Sequence, residues 1–460
     1  MARDKQENNG LNAVERRAAY SLSGIFALRM LGLFLILPVF SLYAEGLPGV
    51  TPMLVGLALG AYGLTQALLQ IPFGMLSDRI GRKPVLIAGL LIFAFGSAVA
   101  ASADSIYGII AGRALQGSGA IAAVVMALAA DLSREQRRLR IMAIIGISIG
   151  VAFAAAMVAG PILDHWIGVP GIFWLTSALA LAGIGMVIFV VPTPQESHLH
   201  RDAEAVPGQF GKVLAEPELL RLDFGILTLH MCLTAMFLVY PLALKDLGVE
   251  KVHHWMVYLP VMLLAMFTMV PFIIMAESKR KMRPVFVGAV LALSIASLVL
   301  FAAHGTLTGM LIGLFIFFTA FNLLEATLPS LVAKVAPGER KGTAMGVYSS
   351  SQFIGAFLGG VLGGWSHAEF GIAGTFLLCA GMAGVWVLVA WGMSDPNYLS
   401  NYLLPVGKLD AVAASELTAR LKGIDGVSDA VIIPVDEVAY LKVDLNQLDT
   451  VALDGYAVQG

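Results

Sequence analysis

The sequence predicts an all-α polytopic membrane protein of twelve transmembrane helices, followed by a small α+β unit. Three observations predict it. Hydrophobic residues make up 58% of the 460 residues and charged ones only 13%, too few to cover the surface of a soluble protein of this length. Windows of about 20 apolar residues recur, each long enough to cross a bilayer as a helix. Hydropathy then falls from Pro396 onward.

The expected spans are 22–45, 53–76, 84–103, 105–131, 140–164, 170–192, 222–245, 253–277, 284–303, 306–333, 342–366 and 370–394. The polar segment 1–21 carries Arg3, Lys5, Arg16 and Arg17. The apolar stretch behind it lacks a small-residue cleavage site, so it reads as a retained first span. A polar linker, 193–221, separates two sets of six spans, 22–192 and 222–394. Residues 395–460 form the soluble unit.

Lysine and arginine set the orientation. The even-numbered loops hold Arg79, Arg82 and Lys83; Arg134, Arg137, Arg138 and Arg140; Lys279, Arg280, Lys281 and Arg283; and Lys334, Arg340 and Lys341. The odd-numbered loops hold only Lys245 and Lys251. By the positive-inside rule, both termini and the linker are expected in the cytoplasm.

The halves repeat at an offset of about 200 residues. Ile71-Pro72-Phe73 matches Val270-Pro271-Phe272, and Lys83-Pro84-Val85 matches Arg283-Pro284-Val285. Arg140 matches Arg340, and Gly160 matches Gly360. Duplicated halves with a site between them near the bilayer midplane are a transporter architecture.

The stretch Gly74-Met75-Leu76-Ser77-Asp78-Arg79-Ile80-Gly81-Arg82-Lys83 resembles the signature between helices 2 and 3 of the major facilitator superfamily. Arg113-Ala114-Leu115-Gln116-Gly117-Ser118-Gly119 resembles its helix 4 motif. Leu28-Arg29-Met30-Leu31-Gly32, Gly63-Leu64-Thr65-Gln66 and Lys341-Gly342-Thr343-Ala344-Met345-Gly346-Val347-Tyr348 are similar to the YajR-like bacterial group, in which a soluble domain follows helix 12. The resemblance covers roughly residues 15–395. It implies an inner-membrane transporter that moves a small molecule, with protons as the coupling ion. It also implies a latch. Asp78 would face the N-terminus of the eleventh span near Gly342 and Thr343, where free N–H groups favour a carboxylate. Arg82 would pair with Asp131, Gly74 and Gly81 would allow close packing and a tight turn, and Arg79 and Lys83 would fix topology.

Small residues let helix backbones approach closely in lipid. Gly117, Gly150, Gly160, Pro161, Gly355 and Gly359 are therefore candidate packing positions. The segment Ala156–Pro161 resembles the superfamily's antiporter motif, but Ala156 and Leu163-Asp164 stand where glycines are usual.

Arg29, Arg113, His230 and Glu325 lie well inside spans 1, 4, 7 and 10, the spans that line the central cavity in the resembling fold. A charge in lipid is costly and usually faces a cavity or a partner. Glu325 is the candidate proton-coupling or cation-binding group. The rival reading is an ion pair with Arg29. His230 is an imidazole, which ordinarily titrates near neutral pH. Tyr62, Gln66 and Gln70 share one face of span 2, and Asn322 lies near Glu325. These four are candidates for cavity hydrogen bonds or for polar packing.

In the soluble unit, 403–406, 430–433 and 438–443 read as strands, and 410–422 and 446–458 as helices. That order suggests a ferredoxin-like unit. Leu421-Lys422-Gly423-Ile424-Asp425-Gly426-Val427 resembles heavy-metal-associated domains. Gly407-Lys408-Leu409-Asp410 stands where those carry a Cys-x-x-Cys pair, which argues against thiolate metal transfer. Residues 401–460 hold nine acidic and four basic side chains, enough for docking on the basic loops. Cys232 and Cys379 both lie in apolar runs and offer no metal or disulfide framework.

No nucleotide-binding loop or catalytic constellation is present. The reading is a proton-coupled efflux transporter, monomeric, in contact with membrane lipid. It needs no cofactor, metal or nucleic acid and is not an enzyme. The rivals are a membrane sensor that uses the soluble domain as output, and a proton-coupled uptake symporter.

Overall fold

The computed structural model describes residues 10–194, 205–337, 340–395, 400–434, 437–444 and 447–456. Arg3, Lys5, Pro396 and much of the polar linker lie outside the described residues. In lipid every backbone polar group needs an internal partner, and helices provide it. Among the described residues, nine helices are long and apolar enough to cross a membrane by length and composition.

Two of the nine reverse direction at a left-handed glycine. Glu135–Phe189 turns at Gly168 (φ 67°), and Lys341–Trp391 turns at Gly371 (φ 66°). Neighbouring contacts prove the reversal. Before Gly168, Ser148 bonds Ser23 O, and Gly160 packs on Leu35 O. After it, Thr176 bonds Gly32 O, and Met186 packs on Gly24. The chain climbs span 1 and descends it again. Gly355, Gly359 and Gly363 climb span 7 against Leu227, Met231 and Ala235, and Cys379 and Trp386 descend past Cys232 and Gly225. Each reversing helix therefore supplies two spans.

Span 1 is Ala13–Phe34 continued by Phe40–Ala44. It begins earlier than expected because Asn12 and Glu15 form a capping box at its start. Span 4 is broken into Ile106–Ser118 and Ala122–Asp131, a break the sequence reading did not anticipate. The other spans are Pro52–Ile80, Arg82–Ala101, Pro217–Asp246, His254–Glu277, Met282–Ala303 and Leu307–Val335.

The two halves meet at the end away from the basic loops. A Cβ on Gly56 of span 2 would lie 2.0 Å from Gly360 O of span 11. Lys245 pairs with Glu45 at 2.6 Å and Lys251 with Asp164 at 3.2 Å across the same end. Phe153 of span 5 stacks on Phe321 of span 10 (6.0 Å) and tilts onto Phe318 (6.1 Å).

The soluble unit is a three-stranded antiparallel sheet in the order β1-β3-β2: β1 Ser400–Pro405, β2 Val427–Ile433, β3 Val438–Val443. Ala411–Lys422 crosses between β1 and β2, capped by Asp410. The last helix, Thr450–Asp454, is shorter than expected. Leu404, Leu421, Ala439, Leu441 and Leu453 form the unit's own apolar core. Asp444 pairs with Arg280 at 3.2 Å, and Lys442 Nζ donates to Lys334 O at 2.9 Å, so the unit sits against the basic loops of the second half.

Candidate functional site

At the basic end, the turn after span 2 closes on Gly81 (φ 96°), a conformation that L side chains rarely adopt. This brings Arg82, the first residue of span 3, back onto the end of span 2. Its guanidinium, buried, bonds Asp78, Ser77 Oγ (2.8 Å) and Asp131 (3.0 Å). Gly74 faces Ala123 of span 4. Lys83 Nζ donates to Val191 O at the end of span 6, and Arg79 lies in the last turn of span 2. Gly342 is buried in the first turn of span 11. Thr343 accepts a bond from Val206 N (2.9 Å) and bonds Gln209 Oε1 (3.0 Å). The linker, not Asp78, engages Thr343 in this conformation.

Inside the first half, Arg29 Nη2 donates to Gln66 Oε1 (2.7 Å) and to Gly119 O (3.0 Å), a carbonyl at the break in span 4 that also accepts from Ile121 N (2.9 Å). Arg113 bonds Ala58 O, Leu59 O and Gln116 Oε1. Both guanidiniums lie over the Tyr62 ring, and Arg29 also lies over Phe93. Gln66 bonds Gln70. Arg29 is 1% exposed and Arg113 2%. Of the readings open for these residues, cavity lining or polar packing, the contacts describe packing: Arg29, Arg113, Tyr62, Gln66 and Gln70 form a polar core within one bundle, with Arg113 on backbone carbonyls. The rival Arg29–Glu325 pair is corrected, because the guanidinium of Arg29 is directed to Gln66 and Gly119.

The small-residue seam divides. Gly117 meets Tyr62 O at 2.2 Å from an added Cβ, Gly160 meets Leu35 O, and Gly355 and Gly359 meet the span 7 backbone. Pro161 follows Gly160 within the same helix. Gly150 has nothing within 4 Å, so the expected packing there is corrected to open space.

The second half holds a different arrangement. His230 Nδ1 contacts Ile226 O (3.3 Å), and Gln352 Nε2 contacts His230 Nε2 (2.7 Å). The set fits a neutral imidazole protonated at Nδ1, with Nε2 accepting from the amide. Gln352 Nε2 also lies 3.5 Å from Glu325 Oε1, and Glu325 Oε2 lies 3.9 Å from His230 Nε2. Oε2 is buried without a hydrogen-bond partner, as is Asn322 Nδ2 one turn earlier. The Glu325 side chain is nevertheless 40% exposed. Phe321, on the same face one turn before it, is locked to Phe153 of the other half. Glu325 therefore sits on the basic-end side of an aromatic plug.

Three residues of this neighbourhood escaped the sequence reading. Gln352 is uncharged and follows a run of serines. Tyr348 looks like an ordinary apolar-span aromatic, although it stands one turn before Gln352. Asp223 is the second residue of the expected span 7 and so reads as lying at the membrane edge; the helix in fact begins at Pro217.

The sequence profile of the Major Facilitator Superfamily matches residues 22–324 and 278–412. The chain is 50% identical over 431 residues to the inner membrane transport protein YajR of Escherichia coli K12, covering 94% of each chain. It is 25% identical to the multidrug resistance protein MdtH of Aeromonas salmonicida, over 74% of this chain and 84% of that one. The crystal structure of a bacterial homologue of the human lysosomal transporter Spinster, inward-facing and occupied, superposes with a TM-score of 0.68. It shares 14% identity and covers 83% of this chain and 97% of the other.

Proposed function

This chain belongs to the major facilitator superfamily of transporters, and from that premise we propose that it exports a small molecule in exchange for protons by alternating access. The observation that carries the coupling is the His230–Gln352–Glu325 cluster. It joins spans 7, 11 and 10, and its Glu325 side chain is partly exposed. A proton arriving at His230 Nε2 turns that atom from acceptor to donor. The Gln352 amide must then present its oxygen, and Glu325 gains an ion pair at a distance already near 4 Å. Protonation thus changes the bonding among three spans, which is what biases a two-state equilibrium.

The basic end is read as cytoplasmic from the lysine and arginine asymmetry. The opposite end is closed by Gly56–Gly360 and the Lys245–Glu45 pair, which supports reading this conformation as inward-facing. The Asp78–Arg82–Asp131 network is then the latch in its released state, to be met by the start of span 11 when the cytoplasmic side closes. Export, rather than uptake, draws support from the similarity to MdtH.

The test is ethidium flux in proteoliposomes with and without a pH gradient. Glu325→Gln is expected to abolish gradient-driven flux while leaving ethidium binding intact. Driven flux that persists in the variant with its normal pH dependence would remove Glu325 from the coupling.

A further inference from the structure

The linker between the halves grips the start of span 11 from a single turn. Gln209 N donates to Val206 O (3.0 Å), which closes the short turn Pro207–Gln209. That turn presents the Val206 N–H and the Gln209 side chain to one hydroxyl. Thr343 Oγ1 accepts from Val206 N (2.9 Å) and donates to Gln209 Oε1 (3.0 Å). Thr343 is the third residue of the helix Lys341–Trp391 and is fully buried.

Two further contacts seat the linker. Val213 is buried where the short helix Phe210–Leu214 packs on spans 7 and 11. Ala205 lies against Gly346 of span 11. A Cβ on that glycine would stand 3.4 Å from Ala205 Cβ and 3.9 Å from Ile71 Cγ1 of span 2. Linker, span 2 and span 11 therefore meet at one point on the basic side. Asp78 takes no part in this meeting. Among the described residues it bonds Arg82 alone, and Arg82 also bonds Ser77 and Asp131, all in the first half.

A hydroxyl has one proton to donate. Gln209 takes the proton of Thr343, so Thr343 cannot donate to Asp78 while the linker is seated. Gln209 thus puts a neutral amide oxygen at a helix start, where the dipole favours a carboxylate more. We propose that residues 205–209 are a strap that competes with Asp78 for Thr343, holds the basic end open while seated, and must leave before that end closes. This rests on the reading of Asp78 as a latch. The exchange swaps one acceptor of the Thr343 hydroxyl for another and consumes nothing.

The experiment follows distances across the basic end of the full chain in lipid, between fluorophores on non-canonical residues at Ile80 and Lys279. Both positions are exposed, one in each half. A short and a long distance are expected, for the closed and the open end. Gln209→Ala should raise the ratio of short to long about fivefold, the effect of losing one net hydrogen bond. Gln209→Glu should lower it, because a carboxylate seats the strap more tightly. A residue that only helped the chain fold would move both variants the same way. Asp78→Asn should lower the ratio as well. The pair Ala205→Cys/Gly346→Cys has its Cβ atoms near the spacing of about 3.8 Å that a disulfide needs. Once oxidised, it should show the long distance alone, and a reductant should restore the short one. A short distance that persists in the oxidised pair, or a ratio unmoved by both Gln209 variants, overturns the strap. The latch then stands if Asp78→Asn still lowers the ratio. If Asp78→Asn changes nothing, the latch reading fails and the strap falls with it.

Discussion

Gly81 and Arg280 both hold a positive φ, 96° and 51°, at equivalent turns of the two halves. The glycine does so freely. The arginine carries a strain of about 1–2 kcal/mol, the cost of that conformation for a side chain. Its guanidinium reaches Asp444 of the soluble unit. Arg280→Gly should relieve the strain and delete a partly exposed ion pair worth about 0–1 kcal/mol, so thermal stability should hold or rise. The soluble unit, however, should loosen. Spin labels on the unit and on the loop between spans 8 and 9 should show a broader distance distribution. The wild type should show the same broadening in high salt, because the Debye length falls from about 10 Å at 0.1 M to about 3 Å at 1 M. A distribution indifferent to both changes would mean that packing, not charge, holds the unit.

The duplication was legible because it lies in residues that punctuate helices. The Pro72/Pro271 and Lys83/Arg283 matches mark turns. The structure extends the match to a shared bond: Lys83 donates to Val191 O and Arg283 to Trp391 O, each closing the end of a sixth helix. What the sequence hides is where a side chain turns. Arg29 stands on a span that lines the cavity in this fold, yet it points into its own bundle. The reason is the broken span 4, which takes Gly119 O out of the helical ladder to where Arg29 reaches it, and no spacing rule predicts that break. Gly150 and Gly359 look alike as letters; only the neighbour across the interface tells packing from open space. Glu325 stood out because a carboxylate deep in an apolar run is conspicuous. Its partner Gln352 did not, because an amide costs less in lipid and leaves a weaker trace.

Glu15 and Arg134 give a prediction in pH. Glu15 precedes the apolar part of span 1. Hydrogen bonds from Arg134 hold its carboxyl at about 2, below the ordinary 4.5, against the opposing effect of burial. A depressed folded value means that the stabilisation is fully present above the unfolded value of 4.5. It is lost as pH falls toward 2. Glu15→Gln should therefore lower the melting temperature by a constant amount between pH 8 and about pH 5, with the gap narrowing below 4.5. A gap that widens on acidification would contradict the assignment.

Gly56 tests the seam between the halves. Any Cβ there collides with the Gly360 backbone, which cannot yield as a flexible side chain would. The core at that end runs through both halves, while the first bundle keeps a separate core on the basic side. Gly56→Val is expected to hold the end away from the basic loops open, at some cost in melting temperature. Single-cysteine reporters on that side should label several-fold faster than in the parent, and reporters at the basic end more slowly. Equal labelling on both sides would show that the seam does not control access.

Lys245 and Glu45 test the same closure from its rim. Their ion pair is short at 2.6 Å but half exposed on both sides, so as a contributor to folding it is worth about 0–1 kcal/mol. Its leverage lies elsewhere. The partners belong to different halves, so the pair exists only when that end is closed and acts wholly on the equilibrium between states. Even 0.7 kcal/mol changes that ratio about threefold. Lys245→Glu should place two carboxylates together and raise labelling at that end, with little change in melting temperature. Glu45→Lys should do likewise. The double variant Glu45→Lys/Lys245→Glu restores opposite charges in reversed order and should return labelling toward the parent value. High salt should shrink all of these differences, since the rim faces solvent. If the double variant labels as fast as the sum of the single effects, the two side chains do not couple. Closure would then rest on the glycine seam, the aromatic plug and the Lys251–Asp164 pair.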